Sequence, residues 1–148
     1  MLSFNPKVAL VAAVFAVLVS PAEAQEIAKP NLVLSEKVEG MPTGKTQEVR
    51  VLTATIQPGS KTPFHTHRHP VTIYILDGAF TLEMEGKDAK VVKAGESMVE
   101  PPNTKMTGYN NGTKPMKVVI FYVSDPDTPF LDPITQCAKQ RAAPEDGP

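Results

Sequence analysis

Residues 59–78 read GSKTPFHTHRHPVTIYILDG, and all three histidines of the chain fall inside them. Pro58-Gly59 turns the chain just before the run. In an extended chain, side chains at i and i+2 share a face, so His65 and His67 project together with stems about 6–7 Å apart. Two imidazoles so placed can converge on one metal ion, and histidine is both the commonest nitrogen ligand and the usual acid–base group near neutral pH. His69 either joins them or marks the strand end. The next segment, Val71 to Leu76, is β-branched and aromatic almost throughout, which predicts a strand buried on both faces. Val71, Ile73 and Ile75 share one of those faces. Asp77-Gly78 then predicts a hairpin turn.

The β signal continues on both sides. Gln47 to Ile56 alternates, with Val49, Val51, Thr53 and Thr55 on one face and Arg50, Leu52, Ala54 and Ile56 on the other. Phe80, Leu82 and Met84 alternate with polar residues. Val91-Val92, Ser97 to Glu100 and Lys114 to Tyr122 follow as further strands between Gly, Asp and Pro turns. No segment has the period of an ordinary amphipathic helix. Short strands at this spacing predict an all-β sandwich or small barrel in a single domain.

The ends read differently. Lys7, the uncharged apolar run Val8 to Val19 and the Ala22-Glu23-Ala24 site form a signal-peptide pattern over residues 1–24. Cleavage is expected after Ala24, with export to the periplasm or outside the cell by a bacterial Sec route. The run is short for a membrane span, so no membrane association is expected after cleavage. Residues 25–45 form a leader with one candidate edge strand, Leu32 to Val38. The barrel is expected over 46–124. Residues 125–148 form a proline-rich polar tail, in which Phe130, Leu131 and Ile134 can dock and the end is disordered. The net charge of −1 and the absence of a basic stripe argue against nucleic acid as a partner. The single cysteine, Cys137, excludes an intramolecular disulfide.

Two stretches carry a family resemblance. Gly59, His65, His67 and Gly78 fit the first cupin motif, G-x5-H-x-H-x3,4-E-x6-G, without a gap. Gly95, Pro101 and Asn110 fit the second, G-x5-P-x-G-x2-H-x3-N, also without a gap. The chain therefore resembles the cupin superfamily over roughly Gln47 to Val123. The resemblance implies a jelly-roll barrel with a site in its mouth, and often a homodimer.

It also implies four metal ligands, of which this chain keeps His65 and His67. Val71 stands at the glutamate position and Met106 at the second-motif histidine. Asn103 replaces a motif glycine, a residue that tolerates a left-handed turn. Met106, His69 and Glu100 are the candidates to complete the site. Met106 brings a soft thioether, which favours copper over iron or manganese, or else it fills the core. Glu100 ligates, orients a histidine, or pairs with Arg68 or a lysine. Phe64, Val71, Ile73 and Ile75 are expected to wall an apolar pocket for a small-molecule ligand.

The residues thus point to an exported small cupin with a metal ion on its His-x-His pair, a divalent or soft transition metal with copper favoured. Two alternatives stay open: a metal-free module that binds a small molecule, and a cupin oxygenase or isomerase.

Overall fold

A computed structural model describes residues 27–135. The expected signal peptide, Cys137 and the expected disordered end lie outside the described residues. Residues 27–30 belong to a separate leading unit and carry no regular structure.

Residues 31–135 hold nine strands, and no helix occurs among the described residues. They are β1 (Glu48–Ile56), β2 (His65–Thr66), β3 (Val71–Asp77), β4 (Ala79–Met84), β5 (Lys90–Lys93), β6 (Ser97–Glu100), β7 (Met106–Tyr109), β8 (Met116–Ser124) and β9 (Asp132–Pro133). One sheet has the order β1-β8-β3-β6, the other β5-β4-β7-β2-β9. Every pairing is antiparallel. This is an all-β jelly roll.

Alternation fixes what lies between the sheets. Along β1, Arg50, Leu52, Ala54 and Ile56 are half-buried and Val49, Val51, Thr53 and Thr55 are exposed. Val71, Ile73 and Ile75 of β3 are buried beside Val118 and Tyr122 of β8, and meet Phe80 and Leu82 of β4 in one core. Gly108 of β7 lies under the Phe80 ring, where a Cβ would overlap it. Asn110 ties the barrel end together: its side-chain amide donates to the carbonyls of Ile56 and Lys114, each at 2.8 Å.

Four expectations are corrected. Leu32 to Val38 forms no strand. β3 is buried on one face only: Thr72 and Tyr74 are half-buried and Leu76 is 52% exposed, because the outer face of an antiparallel sheet can face water. Asp77-Gly78 is not a hairpin turn. It carries the chain from one sheet to the other, since β3 pairs with β6 and β8 while β4 pairs with β5 and β7. Gly78 has φ 80° and packs on Met116, so the corner needs a residue without a side chain. Finally, the second sheet reaches past residue 124, because β9 pairs with β2.

Candidate functional site

β2 is only two residues long, yet it is held on both sides. His65 lies opposite Met106 of β7 and Pro133 of β9. Just beyond the strand, the Asn103 amide donates to the His67 carbonyl at 2.7 Å. Asn103 has φ 55°, the left-handed turn expected at that motif position. This backbone frame turns both imidazoles inward, and His65 and His67 are 5% and 1% exposed.

The two rings meet edge to face, with centroids 4.7 Å apart. Their Nε2 atoms are 3.1 Å apart. Each Nδ1 has a backbone carbonyl as its partner: Pro63 at 2.7 Å for His65 and Phe130 at 2.6 Å for His67. A carbonyl only accepts, so both Nδ1 atoms carry the proton and donate it. Both Nε2 lone pairs are then left facing each other. The Glu100 carboxylate, buried on β6, places Oε2 3.2 Å from the His67 Nε2. Three acceptor groups thus converge in a buried spot, and they repel unless a cation, either a proton or a metal ion, lies among them. Burial holds the His65 pKa below its usual value, against the Pro63 hydrogen bond, with the nearby His67 lowering it further. His65 therefore favours its neutral, metal-binding form.

The donor chemistry fits a metal ion. The Nε2 separation matches two adjacent nitrogens on one ion, which lie about 3 Å apart for bonds of about 2.1 Å. Hydrogen bonds from Nδ1 to carbonyls are the usual device that fixes tautomer and ring orientation in a ligating histidine. Among the described residues no group of three or more His, Cys, Asp or Glu side chains is placed so that it could hold a metal ion as it stands. The carboxylate lies against one histidine rather than equidistant from both.

A cavity of about 160 Å³ adjoins these groups. Ala54 and Ile56 of β1, Ile73 of β3, Phe80 and Leu82 of β4, and Val118 and Ile120 of β8 make its walls. Phe130 and Leu131 of the C-terminal segment line it too. A larger groove of about 440 Å³ lies between the 36–39 segment and Pro101-Pro102, and the histidines do not line it.

The remaining sequence candidates divide. Met106 is fully buried on the strand position facing His65. Val71 and Ile75 are core residues, and Ile73 alone of the three lines the cavity. Phe64 is not in the pocket: it lies in a surface depression with Glu83, Thr107 and Tyr109, because its parity along the chain is opposite to that of His65. His69 does not join the pair. Its Nδ1 lies 2.9 Å from the Gly40 carbonyl and its Nε2 3.6 Å from Asp125, with the Tyr122 ring adjacent to both it and His67. The strand ends at Thr66, so the i+2 rule no longer applies at His69. Glu100 does not pair with Arg68, which instead makes a bidentate bridge to Asp132 at 2.8 and 3.0 Å.

Sequence reasoning missed the role of the C-terminal segment. Phe130 orients His67 through its carbonyl and packs its ring on His67 and Tyr122, with centroids 5.0 and 5.6 Å apart. A backbone carbonyl leaves no mark in a sequence; only the apolar trio Phe130, Leu131 and Ile134 hinted at docking.

Comparison with known proteins agrees with this frame. The cupin domain family matches residues 52–122. Those residues are a cupin domain. Among solved structures, the cupin barrel is similar to a conserved protein with a double-stranded β-helix domain from Klebsiella pneumoniae, at 19% identity and TM-score 0.52, covering 68% of this chain and 90% of that one. It is also similar to a cupin-like protein from Thermotoga maritima, at 20% identity and TM-score 0.50, covering 62% of this chain and 68% of that one. A third is the DMSP lyase DddQ from Ruegeria pomeroyi, at 20% identity and TM-score 0.50 over 55% of this chain. The chain spans 41% of that lyase's length. At these identities the likeness is one of fold. No curated protein matches the chain.

Proposed function

We propose that this cupin is an exported protein that holds one divalent transition-metal ion through His65 Nε2, His67 Nε2 and the Glu100 carboxylate, next to an apolar cavity for a small molecule. The observation that carries the reading is the convergence of three buried acceptors, both imidazoles having their Nδ1 protons committed to backbone carbonyls. Two imidazoles and one carboxylate suit iron(II), manganese(II) or zinc(II). The copper expectation rested on a thioether as third donor, and the group found against His67 is a carboxylate. When bound, such an ion supplies Lewis acidity to a donor atom in the cavity. The chain's own part is to fix the tautomers and to exclude water with the apolar walls.

Elemental analysis of protein purified without a metal-binding tag tests the reading. Wild type should carry close to one equivalent of metal, and His65→Ala and His67→Ala much less. Equal metal in all three would sink it. The second reading, a metal-free binding module, draws on the same cavity, with a shared proton among the three acceptors in place of the ion. Unchanged metal content in the variants together with small-molecule binding would favour it.

A further inference from the structure

We infer that the ligand of this cavity is a small uncharged molecule of about benzene's size, with a hydrocarbon skeleton and one polar atom turned toward the His65–His67–Glu100 end. The inference deepens the functional reading, on which it rests for the direction of that polar atom; the size and polarity match stand on the cavity itself.

Size is the first argument. At about 160 Å³ the space is close to apolar cavities of about 150 Å³, lined by Leu, Ile and Phe, that hold benzene. A sugar ring with its hydroxyls or a dinucleotide does not fit.

The walls are the second. Ile73, Phe80, Leu82, Val118 and Ile120 offer no polar atom, and neither lysine nor arginine lines the cavity. The Thr62 hydroxyl is already engaged by the Gly108 amide at 2.9 Å. Both Nδ1 atoms are also used. The polar atoms left for a ligand are therefore the two Nε2 atoms and the Glu100 carboxylate, all at one end. In the metal-free protein, where no bound ion supplies positive charge, an anion would meet a carboxylate and no side-chain cation. Each hydroxyl beyond the first would be buried without a partner, which weakens binding by about tenfold or more.

Phenol, benzoate and glycerol serve as probes, titrated calorimetrically into metal-free and zinc-loaded wild-type protein. Phenol should bind in both forms and raise the melting temperature as its concentration rises. Benzoate and glycerol should bind the metal-free protein at least about tenfold more weakly than phenol does. Ala54 and Val118 face each other across β1 and β8 and both line the cavity, so Ala54→Leu fills it and should abolish phenol binding. Val118→Leu, a smaller filler, should do the same, and carries the test if the first variant does not fold. Benzoate or glycerol binding to the metal-free protein as tightly as phenol, or phenol binding undiminished in a folded filled variant, overturns the inference. Metal content measured on the same samples keeps the two readings apart. Phenol binding without histidine-dependent metal would defeat the functional reading alone, and metal without phenol binding would defeat this one alone.

Discussion

Glu100 stands directly opposite Val71 across the β3–β6 pair, and both side chains are buried. Val71 occupies the position where the cupin motif carries its glutamate. Directly paired residues on antiparallel strands point to one face with Cβ atoms about 5 Å apart. A carboxylate moved from one partner to the other therefore still reaches the histidines. The motif's acid position is apolar here, and the buried acid beside His67 comes from the neighbouring strand.

That relationship predicts the outcome of an exchange. Glu100→Gln keeps the shape and removes the charge, and should lower metal affinity by about 10–100-fold. The double variant Val71→Glu with Glu100→Val returns the acid to the motif position and should recover most of the loss. Competition with a chromogenic chelator measures both. A double variant no better than Glu100→Gln would show that the two positions are not interchangeable.

Acid should destabilise the metal-free protein through His65. Its folded pKa lies below the usual value of 6.5, chiefly because of burial. The unfolded chain therefore takes up a proton more readily than the folded one. Stability is fully present above about pH 6.5 and falls as the pH drops from there toward the lowered folded value. Urea midpoints at about pH 8 and about pH 5 should differ in wild type and differ less in His65→Gln. The same proton competes with metal, so metal affinity should weaken over that range.

Much of this architecture was legible because it depends on local chemistry. Gly59, Gly78 and Gly95 all have positive φ, which is why motif spacing could find them. His65 and His67 share a face because the extended alternation of β2 carries on one residue past its end at Thr66. Pairing is what local sequence does not carry. Asp77-Gly78 looks like a hairpin whether the next strand stays in its sheet or leaves it. Glu100 could be placed against His67 only after the β3–β6 register was known, and His69 could be set aside only once β2 was seen to end at Thr66.

The C-terminal segment should matter to the site as well as to stability. The Phe130 ring is half-buried against Tyr122 and His67, so Phe130→Ala should cost about 1–3 kcal/mol. Loss of that packing loosens the carbonyl that fixes the His67 tautomer, and metal affinity should fall by about tenfold or more. Asp132→Asn breaks only the exposed bridge to Arg68 and should have little effect on either. Chemical denaturation and chelator competition on the two variants separate packing from surface charge.

Gly108 should tolerate no side chain. A Cβ there overlaps the Phe80 ring, and Phe80 is a cavity wall. Gly108→Ala should cost about 1–3 kcal/mol and push the ring into the cavity. Phe80→Leu should relieve the strain in the double variant. A melting temperature in Gly108→Ala equal to wild type would mean that the ring has room to move elsewhere.

Met106 decides between a soft and a harder ion. It is fully buried on the inward face opposite His65 and next to Met84 across β4 and β7, surroundings in which a thioether packs well without ligating anything. Met106→Leu keeps volume and apolarity and should cost less than about 1.5 kcal/mol. If the ion sits on two imidazoles and Glu100, the variant should keep its metal content and affinity. A selective loss of Cu(I) binding, with zinc binding intact, would instead make the sulfur a ligand and return copper to the site.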